Sequence, residues 1–155
     1  RGYNGDSART YTVGKVSNEA LRLIRVTEDS FYEAMKALKP GNRIGDVGFA
    51  VENFVISNGY SVVKQYVGHG VGASLHEEPE VPNFGKPGKG PRIYSGMTLA
   101  IEPMITLTKA GAKTYVDRDD WTVRTKDGSY AAHWEHTVAI IDDGCEIMTL
   151  PADYP

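Results

Sequence analysis

Two histidines seven positions apart, His69 and His76, lie among Gly68, Gly70 and Gly72 and beside the carboxylate pair Glu77-Glu78. They follow Tyr60-Ser61-Val62-Val63-Lys64-Gln65-Tyr66-Val67, whose β-branched and aromatic residues read as a strand. Glycine lets the backbone bend and approach a neighbouring chain closely. Imidazoles carried on a strand end and on the turn after it can therefore reach one pocket. The rest of the chain has to supply their partners.

Around this stretch the periodicities alternate. Asp6-Ser7-Ala8-Arg9-Thr10-Tyr11-Thr12-Val13 reads as a strand ended by Gly14, with Asp6 at its start. Leu21, Ile24, Phe31, Met35 and Leu38 recur at helical steps and predict a helix over residues 18–38, stopped by Lys39-Pro40-Gly41. Ile44, Val47, Val51, Phe54 and Val55 repeat that pattern up to Asn58-Gly59, a C-terminal stop. Residues 81–91 are dense in Pro and Gly and read as loop, their lysines as solvated surface. Strands are predicted at 97–102, 137–141 and 146–150, the last two as a hairpin about Asp142-Asp143-Gly144. The expected class is α+β: one domain over residues 1–155, with a mainly antiparallel sheet and two helices covering one face.

Composition narrows the function. With 41% hydrophobic and 24% charged residues, 155 residues suffice for a core, and no apolar run is long enough to cross a bilayer. A net charge of -3, both signs scattered, leaves no basic footprint for nucleic acid. The single cysteine, Cys145, reads as a small buried hydrophobe; with no disulfide partner and no secretory leader, a reducing, cytoplasmic setting is expected. The chain begins at Arg1, which points to processing or to a fragment.

Glu102 closes an apolar strand, shares a face with Ala100 and Thr98, and precedes Pro103, which cannot donate to a ladder. An unpaired carboxylate buried there would cost several kcal/mol, so it is either exposed at the strand end or held by a partner such as a metal ion. Glu135 repeats the arrangement in Ala131-Ala132-His133-Trp134-Glu135-His136, its face continuing through Thr137 and Ala139. Together with Asp6 and His69, these carboxylates make a hard oxygen set with one imidazole, suited to Mn, Fe, Co or Zn. His133 and His136 read as core or surface histidines. His76-Glu77-Glu78-Pro79-Glu80 lacks the second histidine of a helical zinc-protease signature, and Pro79 would break such a helix.

Gly68-His69-Gly70-Val71-Gly72, Leu75-His76-Glu77-Glu78-Pro79, Gly96-Met97-Thr98, Ile101-Glu102-Pro103-Met104 and Glu135-His136-Thr137, in that order, resemble the methionine aminopeptidases, as do Gly5-Asp6-Ser7 and Trp121-Thr122-Val123. The resemblance implies the pita-bread fold, of which this chain is similar to the C-terminal portion. It also implies two divalent ions (Co, Mn, Fe or Zn) and removal of an initiator methionine from a peptide or nascent chain. By residue it implies Asp6, His69, Glu102 and Glu135 as metal ligands, with Asp6 and Glu135 bridging. Glu102 would also shuttle a proton, His76 would contact the scissile amide, and Trp121 would line the methionine pocket unless it is an ordinary core tryptophan. Leu75 stands where bacterial-type members often carry an aromatic residue. The short connection between Glu102 and Glu135, with a turn-rich segment at 109–113, favours type 1. The family's N-terminal half, with a further metal-binding aspartate, is the missing partner. Two alternatives remain at this point: the prolidases and aminopeptidases P of the same fold, and a non-catalytic binding module. The former usually carry Glu-Pro-Gly and Arg-x-Glu-Asp where this chain has Glu102-Pro103-Met104 and His133-Trp134-Glu135-His136.

Overall fold

The two helical periodicities form α1 (Asn18–Ala37) and α2 (Ile44–Ser57) in the computed structural model, which describes residues 2–109 and 111–150. Ser17 caps α1, its hydroxyl accepting from the Ala20 N–H at 3.2 Å. α2 opens with the Arg43 N–H donating to the Asp46 carboxylate at 2.7 Å and stops before Gly59, whose φ is +87°. Leu23, Val26, Phe31, Ala34 and Leu38 join Val47, Val51 and Val55 in the core. Each large side chain among them stabilises the fold by about 1.5–3 kcal/mol. Leu21 is instead 46% exposed, because the buried stripe of α1 runs through Leu23, Val26, Thr27 and Ser30.

The strands are β1 (Ser7–Arg9), β2 (Ser61–Val62), β3 (Gly68–Gly70), β4 (Glu77–Val81), β5 (Thr98–Ile101), β6 (Met104–Thr106), β7 (Thr114–Val116), β8 (Val123–Thr125), β9 (Ala131–Ile141) and β10 (Gly144–Ile147). Eight form one sheet in the order β2-β6-β9-β5-β3-β4, with β1 and β10 also on β9, while β7 and β8 pair separately. Every pairing is antiparallel. The fold class is therefore α+β, as the sequence predicts.

β9 organises the sheet. β5 and β6 lie on one of its edges in a single register, Ile101 opposite His136 and Met104 opposite His133, with Trp134 N–H donating to Pro103 O at 3.2 Å between them. Pro103 interrupts the ladder because it has no N–H. The same register carries Glu102, at that break, opposite Glu135. Alternation then divides β9. Trp134, His136, Val138 and Ile140 turn to the helices, with the Phe31 ring 5.5 Å from that of His136. His133, Glu135, Thr137 and Ala139 share the other face.

The predicted strands differ in extent. β1 stops at Arg9 because the Thr10 hydroxyl takes over the ladder, donating to His133 O at 3.0 Å and accepting from His133 N–H at 2.9 Å. Of the expected strand over 60–67 only Ser61–Val62 pairs; the chain then bends, and β3 begins beyond it at Gly68. β9 begins well before residue 137, and the final hairpin turns on Asp142-Asp143 alone, since Gly144 already pairs with Ile141. β4, β6, β7 and β8 were not predicted. Cys145 is half-buried rather than fully buried, its Sγ 3.9 Å from the Met35 sulfur, and burial pushes its thiol pKa up.

β3 fits between β4 and β5 only because Gly68 and Gly70 lack side chains. A Cβ on Gly68 would collide with the Ala100 carbonyl oxygen, and one on Gly70 with the Glu78 carbonyl oxygen. Gly68→Ala is expected to force the strands apart and to lower unfolding free energy by about 1–3 kcal/mol, read by urea denaturation. An unchanged midpoint would show that the three strands are not this tightly apposed.

Candidate metal centre

Three strand pairings bring the predicted residues to one place. Asp6 is held against β9 by Thr137: its N–H donates to the Thr137 hydroxyl at 2.7 Å, and that hydroxyl donates to Asp6 O at 2.9 Å. Asn4 fastens the same segment to the histidine loop, its N–H donating to Gly72 O at 2.8 Å and its amide to Ala73 O at 3.1 Å. His69 on β3 stands opposite Ala100 on β5, and Ala100 opposite Thr137 on β9. Ala100 is fully buried, so a small residue floors the row between Asp6 and His69. Glu102 is steadied through its backbone carbonyl, which accepts from the Asn83 amide at 3.0 Å.

His69 is set up to offer a lone pair. Its Nδ1 lies 2.8 Å from Gly70 O, and a carbonyl can only accept, so Nδ1 carries the proton and Nε2 is free. Nε2 lies 3.5 Å from Glu102 Oε1 and 3.8 Å from Asp6 Oδ2. Two groups of three donors result, Asp6–His69–Glu135 and Glu102–His133–Glu135, each within 4.8 Å of one another and sharing Glu135. Glu135 is 5% exposed, and its carboxyl is pushed up to about 8, first by burial and then by the Glu102 and Asp6 carboxylates. Crowded carboxylates, Glu135 buried and Asp6 and Glu102 partly so, with a free imidazole nitrogen fit a divalent cation, which would relieve their repulsion. Their spacing, beyond hydrogen-bonding distance, fits donors around a common ion.

His76 lies apart from both groups. It is exposed, with its ring centroid 4.2 Å from that of His69. Trp121 is 86% exposed on the β7–β8 turn, where the Asp119 carboxylate accepts from the Trp121 and Thr122 N–H groups. It is not among the residues lining a cavity of about 310 Å³ beside the centre, whose walls include Val63, Tyr66, Met104, Val123, Ala132 and His133. Leu75 is 43% exposed. Between Glu102 and Glu135 the described residues hold three short strands and no helix; Ala110, within the predicted turn at 109–113, lies outside the described residues. His133, which reads from the sequence as a core or surface histidine, lies two residues before Glu135 on β9, and alternation puts both side chains on one face.

The sheet thus carries the two helices on one face and clustered carboxylates and imidazoles on the other. Residues 1–142 match metallopeptidase family M24, and the chain belongs to that family. It is 52% identical over 149 residues to a methionine aminopeptidase of Clostridium acetobutylicum, covering 96% of this chain and 59% of that protein. Methionine aminopeptidase 1 of Bacillus subtilis is 48% identical over 148 residues, with the same coverage. The crystal structure of methionine aminopeptidase from Thermotoga maritima superposes with a TM-score of 0.94 at 46% identity, over 97% of this chain and 60% of that one. Its pita-bread fold is the fold of this chain. The chain thus spans about three-fifths of the length of these relatives. A prolidase from Pyrococcus horikoshii, 22% identical with a TM-score of 0.73, shares the fold. Among the described residues no helix is long and apolar enough to cross a membrane.

Proposed function

We propose that this chain is the C-terminal catalytic portion of a type 1 methionine aminopeptidase, a cytoplasmic enzyme that hydrolyses the peptide bond after an N-terminal methionine. The observation that carries the proposal is the convergence of Asp6, His69, Glu102 and Glu135 on one sheet face from four separate segments. These four residues would hold two divalent ions of the Co, Mn, Fe or Zn type, and Asp6 and Glu135 would be the shared ligands. Such ions supply Lewis-acid polarisation of the scissile carbonyl and a lowered pKa for the attacking water. Glu102 lies at the ladder break, where its carboxylate can take a proton and pass it to the leaving amine. His76 is exposed beside His69 and can hydrogen-bond the substrate amide. A segment corresponding to the remaining two-fifths of the relatives would complete the pocket.

Pro103-Met104 after Glu102, and His133 and His136 about Glu135, favour methionine removal over cleavage at proline. The full-length protein, loaded with a divalent ion, is expected to release methionine from Met-Ala-Ser and to leave an X-Pro dipeptide intact. Cleavage of the X-Pro dipeptide alone would reassign it to the proline-specific branch. If Glu102→Ala left methionine release intact, a non-catalytic role for this centre would follow.

A further inference from the structure

Asn83 is 3% exposed, and its side-chain amide donates to the Glu102 backbone carbonyl at 3.0 Å. Glu102 falls in the gap between β5 and β6, where Pro103 breaks the ladder. Among the described residues its carbonyl has no backbone donor, so a side chain supplies what the ladder does not. The bond also sets direction. Within a ladder, hydrogen bonds to both neighbours fix each peptide plane. At the break, the Glu102–Pro103 plane turns with the ψ of Glu102, and Asn83 holds it. Asn83 is in turn fixed from outside the centre. It follows Val81, which pairs with Gly68, and its neighbours Pro82 and Phe84 press their carbonyls against Gly48 of α2, where a Cβ would collide with both. Farther along this loop the Asp46 carboxylate accepts from the Gly88 N–H at 2.7 Å, and the Arg43 guanidinium donates to Gly90 O at 2.7 Å. A loop moored to α2 therefore presents the amide to Glu102.

Resting on the metallopeptidase reading above, we infer that Asn83 is a positioning residue for Glu102. It fixes the peptide at the ladder break and so aims the carboxylate at the ion position shared with His69, whose Nε2 lies 3.5 Å from Glu102 Oε1. Its part is played through Glu102, and it supplies no ligand of its own. A metal-binding side chain that loses its outer partner costs about 10–100-fold in ion affinity. A reacting group misplaced by about 1 Å can cost about 100-fold in rate. The Glu102 carboxylate serves as ligand and as proton carrier, so both losses should follow from one substitution at position 83.

The test is a double-mutant cycle in the full-length protein, stripped with chelator and read by Co(II) equilibrium dialysis and by kcat and KM for Met-Ala-Ser. Asn83→Leu keeps the volume and removes the donor. It should weaken one ion by about 10–100-fold and lower kcat at saturating Co(II) by about 10–100-fold, with KM within about 3-fold. In a Glu102→Ala background the same substitution should change Co(II) affinity by less than about 2-fold, because no carboxylate is left to misdirect. Equal weakening in both backgrounds would show that Asn83 only braces the strands. Wild-type affinity in Asn83→Leu would show that Glu102 is aimed without it. Either result overturns the inference and leaves the metallopeptidase reading in place. Asn83→Asp, which keeps the shape and puts an oxygen where the donor was, serves if the leucine variant fails to fold, since its added charge acts on the ion in both backgrounds and cancels in the cycle. A wild-type protein that neither binds Co(II) nor releases methionine would overturn both.

Discussion

His69→Ala and His76→Ala, compared in the full-length protein, are expected to fail in different ways although their rings are only 4.2 Å apart. His69 is buried, with its Nδ1 proton engaged by Gly70 O and its Nε2 aimed at Asp6 and Glu102. Removing it takes a nitrogen from a site otherwise built of crowded carboxylates. Divalent-ion affinity should drop by about 100-fold or more, beyond the effect of an outer partner. His76 is exposed and belongs to neither donor group. Its loss should leave ion binding within a few-fold of the parent and lower kcat by about 100–1,000-fold, the usual cost of one donor to a developing charge. Equilibrium dialysis with Co(II) or Zn(II), paired with kcat on Met-Ala-Ser, separates the two. Equal loss of metal in both variants would show that the histidines act as a pair of ligands.

The same stretch shows what local sequence can and cannot convey. Helices α1 and α2 follow from periodicity, because apolar residues at helical steps have one way to be buried. Their stops are visible in Pro40-Gly41 and Asn58-Gly59. β4 is different. Glu77-Glu78-Pro79-Glu80 has little strand propensity, and it becomes a strand because the glycines of β3 let it approach. β6 is hidden by Pro103, which looks like a terminator but only interrupts a strand whose register continues on β9. β7 and β8 are three residues each and pair only with each other, Val116 opposite Val123 and the rest polar or aromatic, so neither is long enough to show the alternation that marks a half-buried strand.

For the centre, the residue types were legible and the distances were not. Carboxylates at strand ends beside a proline or a histidine announce a site. That Glu102 stands opposite Glu135 depends on how two distant strands register. His133 reads from the sequence as a core or surface histidine, and only its pairing with Met104 brings it beside Glu102. Trp121 shows the converse: the motif is present, yet the side chain stands 86% exposed on a turn.

Without a bound ion, Glu135 should make the stability of the protein fall as pH rises, against a smaller opposing contribution from His136, whose pKa is lowered by burial. The Glu135 carboxyl is raised from an ordinary 4.5 to about 8, by burial first and by Glu102 and Asp6 next. Between those values the folded protein keeps a proton that the unfolded chain has released. The native state is therefore favoured on the acid side, and it loses stability progressively as the pH climbs from about 4.5 to about 8, after which the slope flattens. The change amounts to on the order of 5 kcal/mol at full effect, since each pH unit over that interval carries about 1.4 kcal/mol. Denaturant melts of chelator-treated protein at about pH 5 and about pH 8.5 should show it, and Glu135→Gln, which holds no titratable proton, should remove most of the difference. A saturating divalent ion must reverse the trend, because a carboxylate has to release its proton to bind metal and the bound cation then cancels the repulsion from Glu102 and Asp6. Ion binding near neutral pH should consequently release protons, measurable as a buffer-dependent heat in calorimetry. Equal stability of the metal-free protein at both pH values would mean that Glu135 is already ionised without an ion and that its crowding is relieved in some other way.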